Sequence, residues 1–169
     1  ICKEFNDVEI LDYFEDSMSF RIEEYKKDEE KMRIYRPLLM ENGIKAREME
    51  EHLQKVMDEY AGGVSRYYEM NEKELKIALK KIKALKKQMK YLYASNLHQL
   101  MNCHEVIDRI YTAEVLIHHL LYRKETRWPA YQSRTDYPTR DDNEWLKFVN
   151  SHFDGEKIRI VERPFVKII

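Results

Sequence analysis

Residues 71–92 read NEKELKIALKKIKALKKQMKYL and carry the clearest helical pattern in the chain. Asn71 and Glu74 fit a capping box, in which the first side chain accepts from the third helical N–H and the second reaches back. Behind this start, apolar residues recur at intervals of three, four and seven: Leu75, Ala78, Leu79, Ile82, Leu85, Met89 and Leu92. The spacing predicts a helix with one apolar face, and therefore a fold built by packing helices together.

Three further segments show the same periodicity. The first begins at a capping box at residues 6–9 and carries an apolar stripe to about residue 35, where Pro37 ends it. The second covers residues 47–60 and stops at the glycine pair 62–63. The last spans residues 97–122, and its apolar stripe consists of Leu100, Cys103, Ile107, Ile110, Ile117 and Leu121. These segments predict four helices in total.

The character of the chain changes after residue 122. Residues 123–145 contain two of the four prolines, four arginines and no regular periodicity. They predict an ordered irregular segment held by arginine–carboxylate pairs and stacked rings. Residues 145–153 and 157–163 alternate around the turn Asp154-Gly155, which predicts a β-hairpin.

Together these patterns predict a mainly α fold. We expect a three- or four-helix bundle, up-down like a spectrin repeat, with an irregular Arg/Trp/Pro segment and a small C-terminal β-hairpin. The bundle should occupy residues 1–125, and residues 126–169 should pack on it as one domain overall. With 169 residues, the chain is long enough for a single core.

Composition excludes several classes of function. The chain has only four glycines, and none of them allows a GxGxxG or GxxxxGK[ST] loop, so no nucleotide cradle is expected in it. Its 30 basic and 31 acidic residues give no signal for nucleic-acid binding. No apolar run approaches the roughly 18 residues of a membrane span. The two cysteines lie far apart in the sequence, which favours reduced thiols and a cytoplasmic location.

The sequence predicts no catalytic, cofactor-binding or metal-binding residues in this chain. None of the six histidines falls in an HxxxH or HExxH pattern, and the neighbours His118 and His119 point apart on a helix. The chain begins with Ile1 rather than Met, so we expect a processed product or a piece of a longer protein.

Glu114 is the one charged residue on the apolar stripe of the last helix. A carboxylate at such a position must be paired or hydrogen-bonded, because an isolated buried charge costs several kcal/mol. His118 follows one turn later on the same face and is the nearest candidate partner. We therefore predict a buried structural pair between Glu114 and His118.

Two surfaces have competing interpretations. The irregular segment either locks the fold or presents its arginines and rings to an anionic ligand or a partner. Lysines dominate the outer face of the helix at residues 71–92. This is either a solvated face, opposite the acidic run at residues 23–30 of the first helix, or a face that binds an anion or docks an acidic partner. These lysines are Lys73, Lys76, Lys80, Lys81, Lys83, Lys86, Lys87 and Lys90.

Several motifs resemble a known family over roughly residues 51–153. They are LQKVMDEY at 53–60, TAEV at 112–115, RKETRWP at 123–129, DYP at 136–138, DDNEW at 141–145 and FVNS at 148–151. These strings resemble the C-terminal region of the flavoprotein (alpha) subunits of dissimilatory adenylylsulfate reductases. More broadly, they are similar to the C-terminal domains of fumarate reductase and succinate dehydrogenase flavoproteins.

The resemblance implies a scaffold domain within a larger oxidoreductase. Such enzymes interconvert adenylylsulfate with sulfite and AMP, using FAD on an N-terminal domain and an iron–sulfur beta subunit. The resemblance therefore implies FAD in the parent protein, none in this chain, and no activity of this chain alone. The expected contact residues toward the FAD domain are Arg123, Glu125, Arg127 and Trp128.

Three alternatives remain open from the sequence. The parent could be a flavoprotein of the fumarate reductase or succinate dehydrogenase type. The chain could instead be a stand-alone helical protein-interaction module whose basic helix docks an acidic partner. Apolar surface normally covered by a missing domain would also favour a homodimer.

Overall fold

The computed structural model describes residues 29–128, 132–155 and 157–165. Within them, three long helices form the bundle: α2 at Ala46–Tyr60, α3 at Glu72–Gln88 and α4 at Leu97–Tyr122. Two short helices accompany them, α1 at Glu29–Tyr35 and α5 at Asp142–Trp145. The predicted start of the first helix, at residues 6–9, lies outside the described residues. The mainly α fold is confirmed.

Local signals account for the helix boundaries. The Asn71 side chain accepts a 2.9 Å hydrogen bond from the Glu74 backbone N–H, and Asn96 accepts one of 2.9 Å from that of Gln99. After α1, Pro37 lies buried in a short 3₁₀ turn rather than in an open loop. Gly62, at φ +74°, takes the left-handed conformation just past the end of α2.

The core lies between the three long helices. Most of its buried side chains come from α3 and α4, joined by Met49 and Leu53 of α2. Met70 and Leu92, which flank α3 in the sequence, are also almost completely buried. The buried face of α4 is rotated slightly from the predicted stripe, since Val106 and Leu120 are buried while Ile107 and Leu121 are only partly so. Among the core residues are Leu75, Ala78, Ile82, Leu85, Leu100, Cys103, Val106, Ile110, Ala113 and Ile117.

Three small two-stranded sheets complete the described part of the fold. The predicted hairpin is confirmed: β5 at Lys147–Phe153 pairs antiparallel with β6 at Ile158–Pro164. Two parallel pairs of two-residue strands were not predicted. They join β1 (Ile44–Lys45) to β3 (Leu92–Tyr93), and β2 (Glu69–Met70) to β4 (Ser133–Arg134).

The pairing of β2 with β4 places the irregular segment at one end of the bundle. Because β2 directly precedes α3, the pairing brings residues 133–134 to the N-terminal end of that helix. The same segment begins where α4 ends, so it joins these two helix ends. Within the part of the chain that the structure describes, no helix combines the length and the apolar character needed to cross a membrane.

Candidate functional site

Glu125 is the centre of the irregular segment. Its side chain is 0% exposed, and it accepts hydrogen bonds from Arg123 Nη1 at 2.5 Å and from Arg127 Nε at 2.7 Å and Nη2 at 3.0 Å. The backbone N–H of Asp141 donates a further bond of 3.0 Å. A buried carboxylate with two guanidinium partners and a backbone donor has its charge compensated and its lone pairs occupied.

The environment of Glu125 fixes its protonation state. Burial by itself raises the pKa of this carboxyl group. The hydrogen bonds from Arg127, the Asp141 backbone and Arg123 outweigh that effect and hold the pKa below its usual value. Glu125 is therefore ionised at neutral pH, and the cluster depends on that charge.

Arg123 and Arg127 extend the cluster to the elements that follow. Arg127 Nη1 lies 2.9 Å from Asp142 Oδ1. The Arg123 guanidinium donates to the carbonyls of Trp145 at 3.0 Å and Lys147 at 3.2 Å. It also lies 5.6 Å from the centroid of the Trp145 ring. The two arginines thus fasten the end of α4 to α5 and to the first strand of the hairpin.

Arg134 is a buried arginine outside the four predicted contact residues. It donates to the carbonyls of Leu120 and Arg123 at the end of α4, the latter at 3.1 Å. Its Nε and Nη2 donate to Asp136, at 2.8 Å each. The same carboxylate accepts from the Glu72 backbone N–H at 2.8 Å. Arg134 and Asp136 therefore link the end of α4 to the start of α3, satisfying groups that helix ends leave unpaired.

Trp128 differs from the other predicted contact residues because it is 65% exposed. It lies at the rim of a cavity of about 250 Å³ whose lining includes His119, Arg127 and Gln132. Arg123 and Arg127 form ion pairs with Glu125, and the Glu125 side chain has no exposed surface. The structure thus brings the four residues together, with three inside the cluster and Trp128 at its outer edge.

Glu114 is buried in α4, and its hydrogen-bond partner is Lys86 of α3, with Nζ 2.5 Å from Oε2. The Lys86 ammonium also lies 4.7 Å from the Tyr111 ring centroid. Burial lowers the pKa of His118, and the nearby Glu114 charge partly opposes this. Glu114 therefore acts on the pKa of His118 through its charge, but its hydrogen bond and ion pair are with Lys86. The sequence pattern had placed this lysine on the outer face of α3.

Six of the eight lysines on α3 and its extension form an exposed row at helical spacing: Lys73, Lys76, Lys80, Lys83, Lys87 and Lys90. Lys76 pairs with Glu72 at 2.5 Å. The other two lysines of the predicted outer face turn toward neighbours. Lys81 lies over the Tyr60 ring at 5.1 Å, and Lys86 pairs with Glu114. The row is a basic surface on an otherwise nearly neutral chain.

The described residues contain no group of three or more His, Cys, Asp or Glu side chains arranged to hold a metal ion. Cys103 is buried, and burial raises the pKa of its thiol, which keeps the thiol protonated at neutral pH.

Comparison with known proteins identifies the family. A model of the fumarate reductase flavoprotein C-terminal family matches residues 50–167. The alpha subunit of adenylylsulfate reductase from Megalodesulfovibrio gigas is 34% identical over 117 residues, which are 68% of this chain and 18% of that protein. The chain therefore spans less than a fifth of the length of this relative.

Solved structures show the same relationship. Adenylylsulfate reductase from Archaeoglobus fulgidus superposes with a TM-score of 0.80 at 37% identity, over 86% of this chain and 25% of that one. A variant of E. coli quinol fumarate reductase shares the fold, with a TM-score of 0.70 at 20% identity over the same shares of the two chains. On these grounds the chain belongs to the fumarate reductase flavoprotein C-terminal family.

Proposed function

We propose that this chain is the C-terminal helical scaffold domain of a flavoprotein subunit resembling that of adenylylsulfate reductase. The observation that carries the proposal is the 37% identical match to the Archaeoglobus fulgidus enzyme, of which this domain covers 25%. The more distant match to fumarate reductase supports the fold but no substrate. The parent would then convert adenylylsulfate to sulfite and AMP in the cytoplasm, together with an iron–sulfur beta subunit.

In this proposal, FAD belongs to another part of the subunit. The four glycines of this chain provide no phosphate-binding loop, so its residues do not fit the pyrophosphate of a dinucleotide. The domain supplies no catalytic group. Its contribution is a rigid surface against which the flavin-binding domain packs.

The Glu125 cluster is suited to that role because it fixes the backbone on which Trp128 stands. Two arginines and a backbone N–H hold the Glu125 carboxylate, and Arg134 ties the same segment to two helix ends. Trp128 then reaches solvent beside a cavity. Exposed aromatic side chains on rigid supports are typical anchors of protein interfaces. We therefore assign the contact itself to Trp128, with Arg123, Glu125 and Arg127 as residues that hold it in place.

The test compares variants of the full flavoprotein subunit. An aromatic anchor at the centre of an interface contributes about 2 kcal/mol or more. Trp128→Ala should therefore purify with less FAD per polypeptide, measured by flavin absorbance. Arg127→Ala should have the same effect together with a lower thermal midpoint, because it also breaks the cluster. Phe153→Ala, an exposed aromatic at the hairpin end, is the matched control and should retain its FAD. Unchanged flavin content in both Trp128→Ala and Arg127→Ala would contradict the proposal.

The lysine row favours a second candidate, a stand-alone module that docks an acidic partner. Lys73, Lys80, Lys83 and Lys87 are exposed and form no ion pair with other residues in the described part of the chain. In this candidate, the chain should bind polyglutamate at low salt, and Lys80→Glu with Lys87→Glu should abolish binding. The control is Lys55→Glu with Lys157→Glu, two substitutions away from the row, which should leave binding in place. Retained binding after reversal in the row would remove this candidate.

A further inference from the structure

The loop between α2 and α3 contains two consecutive tyrosines in a rarely adopted backbone conformation. Tyr67 has φ 52° and ψ 33°, and Tyr68 has φ 61°. Residues with a bulky side chain avoid this left-handed region because the Cβ atom crowds the backbone. Glycine would occupy either position without strain, yet the chain places an aromatic residue at both.

Several hydrogen bonds hold this conformation. The Gly63 carbonyl accepts from the backbone N–H groups of Arg66 and Tyr68, at 3.1 Å each. The Asp58 carboxylate accepts from the Ser65 N–H at 3.0 Å. The Tyr68 carbonyl accepts from the Ser133 N–H at 3.0 Å. Strain of this kind persists when the surroundings determine the backbone, and it concentrates at functional positions.

Two side chains of this loop are largely exposed. Tyr67 is 83% exposed and Val64 is 71% exposed. No other large hydrophobic side chain of the described residues is as exposed as Tyr67. The ring therefore gains little from packing inside the domain. The one basic side chain of the loop, Arg66, is neutralised by Glu74 at 2.6 Å, so the surface is aromatic rather than charged.

The loop is continuous with the proposed Trp128 contact. Ser133, which donates to the Tyr68 carbonyl, directly follows Gln132, whose N–H donates to the Trp128 carbonyl at 2.9 Å. The register of β2 with β4 sets Glu69 opposite Ser133. Tyr67 and Trp128 thus stand on two segments that are hydrogen-bonded to each other at the same end of the bundle.

We propose that the loop at residues 62–68 is a second part of the surface that docks the remainder of the flavoprotein subunit, with Tyr67 as its anchor. This inference rests on the proposed function. The remainder of the subunit is the favoured occupant because this chain covers only 25% of the related enzyme chain. Continuity with Trp128 argues for the same occupant. The partner surface should be an apolar pocket with a hydrogen-bond acceptor for the tyrosine hydroxyl.

Thiol labelling in the full subunit tests the inference. Tyr67→Cys and Tyr91→Cys are compared with the unsubstituted subunit as baseline. Tyr91, 48% exposed, stands at the opposite end of α3 and is the matched control. We expect Tyr67→Cys to react with a maleimide dye about tenfold more slowly than Tyr91→Cys, because a covered thiol is less accessible. Equal rates would overturn the inference.

The variant Tyr67→Gly distinguishes loss of the side-chain contact from a defect in folding. Glycine adopts the left-handed conformation without strain, so this variant should fold at least as well as the unsubstituted subunit. It should nevertheless retain less FAD, because the side-chain contact is lost. Full FAD retention in Tyr67→Gly would overturn the inference. If Trp128→Ala loses FAD while Tyr67→Cys labels freely, the inference fails and the proposed function stands.

Discussion

The Glu125 carboxylate and the Arg127 guanidinium form a two-point hydrogen bond, with Nε at 2.7 Å and Nη2 at 3.0 Å. This geometry uses the planar fork of arginine, which lysine cannot reproduce. The acceptor is completely buried. The pair therefore fixes the direction of the chain just after α4, where the bundle ends and the irregular segment begins.

Removing the carboxylate should destabilise the fold strongly. Glu125→Ala leaves Arg123 and Arg127 without their shared acceptor, and breaking a buried ion pair from one side typically costs roughly 3 kcal/mol or more. Chemical denaturation followed by circular dichroism measures this loss. The control is Glu51→Ala, which breaks an exposed pair with Arg47 and should change stability by less than about 1 kcal/mol. Equal effects of the two substitutions would contradict the central role of Glu125.

The contribution of Glu125 should also depend on pH in a defined direction. Its pKa is lowered in the folded state, so the folded chain binds this proton less readily than the unfolded chain does. The stability that its charge provides is fully present above the ordinary glutamate pKa of about 4.3 and is lost as the pH falls toward the folded pKa.

The measurement is the difference in unfolding free energy between the unsubstituted chain and Glu125→Gln. This difference should stay constant from pH 7 to about pH 5 and shrink below about pH 4.3. Asp136, whose pKa is lowered chiefly by hydrogen bonds from Arg134, should show the same constancy when replaced by Asn, with the difference shrinking only below about pH 3.9. A difference that already shrinks near pH 6 would mean that the pKa of Glu125 is raised instead.

The Lys86–Glu114 pair predicts a strongly non-additive pair of substitutions. Lys86→Met leaves the buried Glu114 carboxylate without its recorded hydrogen bond and should cost roughly 3 kcal/mol. Replacing both residues, Lys86→Met with Glu114→Leu, should recover most of that loss because no buried charge remains. Lys87→Met, at the exposed neighbour, is the control and should have little effect. Additive losses in the double variant would show that the two residues act independently.

Much of the fold could be predicted from the sequence because its signals are local. The side chain of Asn71 caps α3 as the sequence indicates, and the turn at Asp154-Gly155 connects the two predicted strands. Helix periodicity located α2, α3 and α4 to within about one turn. Each of these features is decided by residues only a few positions apart.

Features that depend on long-range contacts could not be predicted in this way. Lys86 lies 28 positions before Glu114 in the sequence, so helix spacing suggested the nearer His118 instead. The two-residue parallel strands have no pattern of their own and follow from how the helices pack. The left-handed backbone at Tyr67 is contrary to the preference of tyrosine, and no local rule would assign it.

The candidate site also combines local features that could be predicted with long-range contacts that could not. The density of arginines and acids after α4 indicated a segment held by ion pairs, and the motif around Arg127 selected four residues that the structure places together. The complete burial of Glu125 could not be predicted, because it involves the Asp141 backbone, 16 positions away in the sequence.

The most direct test of the scaffold proposal is to determine the coding sequence upstream of the Ile1 codon. If the chain is such a scaffold domain, the open reading frame continues upstream and encodes a strand followed by a GxGxxG loop, the part of the subunit that binds FAD. A start codon immediately upstream, with no such domain in frame, would contradict the proposal and leave the interaction module as the remaining candidate.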